Sequence, residues 1–281
     1  MAVGKKQRPA GRVMIFLCGL ASVVILAVLI SILGYILARG LPGLTLDFFL
    51  KTPQPVGLAG GGMAHAVAGS LILVGLACLL GITWGVAIGV YLAEYGGRTF
   101  GWLVRFSADV LNGIPSIIVG IFVYSVMVVK MGHFSALAGG AVLGVIMVPT
   151  VARNTEEMLR MVPGELKDAA LALGIPFWKV VAFVMLPTVA RGIGVGIVLA
   201  VARVAGETAP LFFTALNNDF WPAGLNEPIA SLPMEIFRYA ISPFKVWHEL
   251  AWTGALVLVT IVLVFMVLAR ILLYGQRPKE W

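Results

Sequence analysis

Apolar residues along this chain come in long runs, and polar residues gather between them. Six runs read as membrane helices: Val13–Ala38, Ala66–Ala93, Ile114–Val129, Leu137–Val151, Arg191–Leu216 and Trp247–Tyr274. Crossing a bilayer core takes about 20 residues of helix, with a range of ~17–25. The first, second, fifth and sixth runs meet that length. The third and fourth are shorter and carry Pro115, Gly120, Gly139, Gly140, Gly144 and Pro149. Their polar flanks are expected to extend them. Short spans interrupted by Gly and Pro suit a transporter interior, where neighbouring helices satisfy freed backbone groups and small residues permit close approach.

Composition points the same way. Of 281 residues, 60% are hydrophobic and 12% charged, and the mean hydropathy is +1.01. Soluble domains carry roughly 25% charged residues, and a water-soluble fold could not cover so much apolar side chain with so little charge. The basic residues then set an orientation. Arg39, Lys51, Lys130, Arg238 and Lys245 fall on one side of a six-span arrangement, and Arg203 falls inside a span. The remaining fourteen of the 20 basic residues lie on the side of the termini. Lys and Arg concentrate on the cytoplasmic side of membrane proteins, so both termini are expected there. Ala152–Ala190 becomes a cytoplasmic loop, while Arg39–His65 and Asn217–Val246 face outward. The first outer stretch is rich in Gly and Pro and reads as irregular. In the second, Pro233–Ala240 reads as one short helix, since Pro is accepted in a first turn. The whole chain, 1–281, forms one membrane domain. Within it, residues 13–65 hold the first helix and an outer loop, and residues 66–275 hold a five-helix core with the cytoplasmic loop 152–190.

Several function classes drop out. A net charge of +7 suggests nucleic acid, but the basic residues sit between apolar runs rather than in a stripe with aromatics. Cys18 and Cys78 lie inside apolar runs, and His65, His133 and His248 are far apart, so no disulfide or metal site is expected. No Walker or dinucleotide-binding glycine pattern occurs, so any ATP chemistry belongs to another chain. The first run is too long for a signal-peptide core of ~7–15 residues and reads as a retained helix.

The cytoplasmic loop predicts two short helices with a break. Pro163 stands where a helix starts, Gly174 where one ends in the left-handed conformation, Pro176 opens the next and Pro187 stops it. Leu166, Ala169, Ala170 and Leu173 follow helical spacing and make one apolar face, opposite Glu165, Lys167 and Asp168. Such an elbow suits either a groove in a partner protein or the membrane surface. Its spacing resembles the signature of binding-protein-dependent ABC permeases (the MetI-like family): Asp168-Ala169-Ala170, then Gly174, then Val184, Leu186 and Pro187. Asp168 stands where that pattern has Glu, and Val184 where it has Ile. The resemblance implies an all-α membrane permease of the type I ABC importer class with six transmembrane helices. It also implies that Glu165, Asp168, Ala169, Ala170, Gly174, Leu186 and Pro187 couple the chain to cytoplasmic ATPase subunits.

Arg203 and Glu207 are the charged pair inside the fifth run. Each costs about 2.5–3.5 kcal/mol at a bilayer centre on insertion scales, so neither should face lipid. Four residues apart on a continuous helix, they share a face. One reading is an internal ion pair. The other is a lining of the transport path, with the Arg fork holding an oxyanion and Glu207 keeping the hold weak enough for release. Asn112, Pro115 and Ser116 read either as a helix cap at the membrane surface or as a helix N-terminus near the path.

The stretch Ala202-Arg203-Val-Ala-Gly206-Glu207-Thr208-Ala209-Pro210-Leu211 resembles the fifth-helix signature of the PstA family of phosphate permeases. Ala108-Asp109-Val-Leu-Asn112-Gly-Ile-Pro115-Ser116 and Thr155-Glu156-Glu157-Met158-Leu159 agree with it. The resemblance implies a non-enzymatic permease in the bacterial inner membrane that imports inorganic phosphate. Arg203, Glu207, Thr208 and Asn112 would lie along its path. Its partners would be a PstC-like second permease, two PstB-like ATPase subunits that bind ATP and Mg, and a PstS-like extracytoplasmic phosphate-binding protein. This chain itself is expected to bind no cofactor. An ABC permease for another oxyanion or small solute is the nearest alternative. An ion channel leaves the loop signature unexplained, and an intramembrane hydrolase lacks a nucleophile and base.

Overall fold

The computed structural model describes residues 9–55, 60–97 and 99–274. Lys5, Lys6, Arg8, Arg98, Arg277 and Lys279, used above to orient the chain, lie outside the described residues. The described elements are helical, in the order α1 (Pro9–Gly40), α2 (Leu46–Leu50), α3 (Ala64–Glu94), α4 (Phe100–Gly113), α5 (Ser116–Met131), α6 (Ala136–Arg160), α7 (Gly164–Ala172), α8 (Phe177–Ala205), α9 (Ala209–Thr214), α10 (Leu232–Ala240) and α11 (Lys245–Tyr274). Five helices (α1, α3, α6, α8 and α11) are long and apolar enough to cross a membrane, and α4 with α5 makes a sixth if that bent pair counts as one span.

One boundary differs from the sequence expectation. The leading polar flank of the third run does not extend it: α4 is a separate helix, bent 105° from α5. The cause is local. A residue before Pro is pushed out of the helical region, and Ile114 before Pro115 has ψ of 133°. The fourth run, by contrast, continues helically past Val151 to Arg160. Its polar continuation finds partners on α4 and stays helical as expected of the flanks, so the loop placed at Ala152–Ala190 begins later, after Arg160. Arg39–His65 also holds more order than expected, since the α2 side chain Phe48 is wholly buried. The short helix expected at Pro233–Ala240 is present as α10, with Ser231 capping its start.

The core is held by α3 and α6, which run parallel and interlock through glycine. A β-carbon on Gly81, Gly85 or Gly89 would come within 2.7, 2.6 and 2.5 Å of the β-carbons of Met147, Val151 and Thr155. In return Gly139, Gly140 and Gly144 receive Leu73, Leu76 and Leu80. Lipid offers no hydrophobic drive between helices, so such close backbone approach supplies the packing that holds them. Val119, Val123, Ala200, Val201, Val204 and Leu211 complete the same buried cluster from α5, α8 and α9. α1 stands apart: none of its apolar window is buried. It meets α11 at its C-terminal end, where Tyr35 lies edge-on to Trp252 at 5.0 Å and Thr253 donates a hydrogen bond to the Gly40 carbonyl.

Candidate functional site

The fifth run is not one helix to Leu216, as its apolar pattern suggested. α8 ends at Ala205, and α9 begins at Ala209 after a break at Gly206–Thr208. Pro210 explains it, because Pro supplies no backbone N–H and its ring clashes with the carbonyl four residues back, at Gly206. The expected shared face of Arg203 and Glu207 is therefore absent. Arg203 sits exposed in the last turn of α8. Glu207 is half-buried in the break and lines a small cavity with Ser70, Leu73, Leu143 and Ser231. No ion pair joins them, and among the described residues Arg203 has no hydrogen-bonding or ionic partner. Thr208 is half-buried and begins α9 without a side-chain cap. Broken backbone next to a membrane span is tolerated where it lines a cavity or packs on protein. Here Pro210 packs against Gly120 of α5.

Asn112 belongs to the last turn of α4 and does not open α5; the residue preceding α5 is Pro115, and no side chain caps it. The capping reading therefore fails. Asn112 accepts a hydrogen bond from Thr150 of α6 at 3.1 Å. Two further rungs follow toward the far end of α4: Asp109 to Arg153 at 3.3 Å, and Arg105 to Glu156 at 2.6 Å. α4 thus runs antiparallel to α6 on a polar ladder and turns Phe100, Trp102, Leu103 and Phe106 outward. Glu156 is buried and gathers Arg105, Arg153 and Arg160 around one carboxylate. The depths of Asn112 and Arg203 can be compared through Asn154, which faces Gly196. Arg203 lies seven residues beyond Gly196, about 10 Å, and Thr150 four before Asn154, about 6 Å. Asn112 and Arg203 therefore sit within about one helical turn in depth.

The loop folds as the expected elbow, with one correction. Pro163 precedes α7, and Gly174 ends it with φ of +74°. Pro187, however, does not stop the second helix. α8 passes through it to Ala205 as a single 29-residue helix, with a wide π turn at Val181–Met185. The wider turn absorbs the carbonyl that the Pro187 ring would otherwise strike. Of the apolar face, Ala170 packs against Leu159, Val180, Val181 and Met185. Leu166, Ala169 and Leu173 remain exposed, Leu173 at 80%. Glu165, Asp168 and Pro187 are exposed too, and Leu186 is half-buried.

Sequence reasoning missed a polar cluster beside α10. Glu235 is wholly buried, yet accepts from Asn217 at 2.6 Å and from Arg238 at 2.8 Å. The same Arg238 reaches Asp219 at 2.6 Å. His65, spaced far from both acids in sequence, comes within 3.7 Å of Glu235. Donor atoms of His65, Asp219 and Glu235 approach within 4.8 Å of one another, but the guanidinium of Arg238 already stands between the two carboxylates as their cation. Burial opposes the Arg238 charge, yet the Asp219 hydrogen bond and the two carboxylates outweigh it and raise its pKa. Beside it, burial and then the Glu235 charge push the Tyr239 phenol up to about 12. The signal in sequence was only a set of charges in a Pro-rich stretch, with nothing to show that they meet.

Known proteins resemble this arrangement. Residues 85–277 match the family described as "Binding-protein-dependent transport system inner membrane component". A "Phosphate transport system permease protein PstA" of Yersinia pestis is 46% identical over 252 residues, covering 89% of this chain and 85% of that protein. The protein of the same name from Haemophilus influenzae is 44% identical, covering 88% and 87%. Among solved structures, a bacterial ABC transporter involved in import of the acidic polysaccharide alginate superposes with a TM-score of 0.68 at 14% identity. That match covers 96% of this chain and 97% of that one. An inward-facing MetNI methionine ABC transporter gives 0.62 at 19% identity, over 76% and 98%. At such identities the structural matches speak for the fold alone. The sequence matches go further: the chain belongs to the binding-protein-dependent transport system inner membrane components, and within them to the PstA permeases.

Proposed function

We propose that this chain is one of two membrane permeases of an ATP-driven phosphate importer in the bacterial inner membrane. Its partners are a related second permease, a pair of cytoplasmic ATPase subunits that bind ATP and Mg, and an extracytoplasmic phosphate-binding protein. Both termini and the α7 elbow face the cytoplasm. The observation that carries the reading is the exposed Arg203, without a partner among the described residues, in the last turn of a helix long and apolar enough to cross a membrane and next to a helix break. A permanent cation there is too costly against lipid, so its face belongs to a water-filled path shared with the second permease.

The mechanism follows from the continuity of α8. The exposed surface of α7, with Leu166, Asp168, Ala169 and Leu173, docks on an ATPase subunit. Closure of the ATPase pair on ATP displaces the elbow, and Gly174 holds the angle between α7 and α8. α8 is unbroken to Ala205, so displacement at Phe177 arrives at Arg203. The break at Gly206–Thr208 then allows α8 to tilt against α9, which opens the path to one side and closes it to the other. Arg203 offers phosphate a planar fork. Glu207 and Asn112 shape the same depth, and the carboxylate keeps the anion from lodging.

The substrate is tested by stimulation of ATP hydrolysis in the reconstituted complex with its binding protein, comparing phosphate, sulfate, molybdate and phosphonates. Stimulation by phosphate alone supports the reading. Stimulation by another oxyanion in its place keeps the permease class and changes the cargo.

A further inference from the structure

The elbow is held by more than the chain that leads into it. Lys167 of α7 reaches back to Glu94, the last residue of α3, with Nζ and a carboxylate oxygen 2.5 Å apart. The acid side chain is only 6% exposed. A carboxylate at a helix C-terminus meets the negative end of the backbone dipole, so it calls for a cation. The ammonium supplies it, and also lies 4.9 Å over the ring of Phe177, the first residue of α8. Phe177 in turn meets Tyr95 edge-on at 5.4 Å. One lysine therefore joins three elements: α7, the end of α3, and the start of α8. Exposed surface pairs do little, but here the acid is desolvated and would be stranded without its partner.

We infer that Lys167 and Glu94 form a clasp that passes elbow motion to α3. This rests on the reading of α7 as the ATPase-docking element. α8 receives that motion through the main chain, and α6 through the turn Met161–Pro163. α3 has no such connection, being separated from α7 by α4, α5 and α6 in sequence. Yet α3 is locked to α6 by the glycine interface, so whatever moves the end of α3 moves that pair. Apart from the clasp, α7 holds the bundle through Ala170 and through the short turn Met161–Pro163 that leads out of α6. With the clasp closed, the elbow drives α8 and the α3–α6 pair together. With it open, the turn Met161–Pro163 is the elbow's remaining link to that pair, and ATP turnover loses much of its grip on the path.

Lys167 is thus a positioning residue, and its test is the amount of phosphate moved per ATP hydrolysed, read on the same vesicles of the whole complex. Lys167→Met is expected to lower that ratio by about fivefold or more, the lower end of ordinary coupling between sites, while the ATPase still co-purifies. Lys167→Arg should keep the ratio, and the exchanged pair Lys167→Glu with Glu94→Lys should restore most of it. A wild-type ratio in Lys167→Met overturns the clasp. So does an exchanged pair no better than the single change, since Lys167 would then act through some other group. If Lys167→Met fails to assemble, the exchanged pair decides: assembly with coupled uptake supports the clasp, and failure overturns it. Absence of ATP-driven phosphate uptake in wild-type vesicles would strike the functional reading instead, and no variant is needed to see it.

Discussion

Arg203 and Glu207 stand four residues apart, yet one closes α8 and the other lies in the break before α9, with no ion pair between them. The separation changes what each can do. A paired Arg and Glu on one helix face would neutralise each other and leave nothing for a substrate. Apart, the cation is exposed and available to the proposed path, while the acid lines a cavity with Ser70 and Ser231. α8 places Arg203 at the end of a rod about 43 Å long that starts at the elbow. On the proposed function, substrate recognition and mechanical input thus meet on one element.

Glu207→Gln removes the opposing charge without changing shape. Phosphate is then expected to leave more slowly, and uptake to fall about tenfold, equivalent to ~1.4 kcal/mol in the hold on the anion. Uptake assays at saturating phosphate check this. Unchanged maximal uptake would remove Glu207 from the release step.

Gly174 has φ of +74°, where a β-carbon costs about 1–2 kcal/mol. Gly174→Val should therefore weaken ATPase association about five- to thirtyfold while the membrane part stays folded. Pull-down of the ATPase at graded concentrations measures it. Full association would count against the elbow as the docking element.

Gly85 faces Val151 with no room for a side chain. Overpacking a tight interface costs roughly 1–3 kcal/mol, so Gly85→Val should lower the melting temperature of the detergent-solubilised permease. Gly75 has open space around it, and Gly75→Ala should leave the melt unchanged. Equal melts for both would mean that the α3–α6 interface is looser than described.

The cluster at α10 responds to loss of its cation. Arg238→Met strands buried Glu235 and should cost about 3–5 kcal/mol, as for other broken buried pairs, with Glu235→Gln in the same chain recovering much of it. Alkaline pH acts on the neighbouring phenol. The Tyr239 pKa is raised in the folded protein, to about 12, above an ordinary value of ~10. Its contribution is therefore complete below pH about 10 and is lost as pH rises toward about 12. Tyr239→Phe should flatten that limb of the stability profile, and an unaltered limb assigns it to other groups.

Membrane residence, the apolar runs and the elbow were legible in sequence because each depends on local chemistry: hydropathy over a span, or Gly and Pro at fixed offsets. What was not legible depended on where backbone groups and charges meet. The apolar pattern of the fifth run passes straight over Gly206 and says nothing of the break, although Pro210 alone could have signalled it. The same rule misled at Pro187, where a π turn relieved the strain. The Asn112–Thr150, Asp109–Arg153 and Arg105–Glu156 rungs join residues distant in sequence, as do Lys167–Glu94 and His65–Glu235. No periodicity reports such pairs.

The most direct test of the account is radiolabelled phosphate uptake into proteoliposomes holding the whole complex, with ATP on the ATPase side and either wild-type or Arg203→Gln permease. The account predicts ATP-dependent uptake in the wild type, lost in the variant while the ATPase remains bound. Normal uptake in Arg203→Gln would remove Arg203 from the path, and uptake without ATP would contradict the mechanism itself.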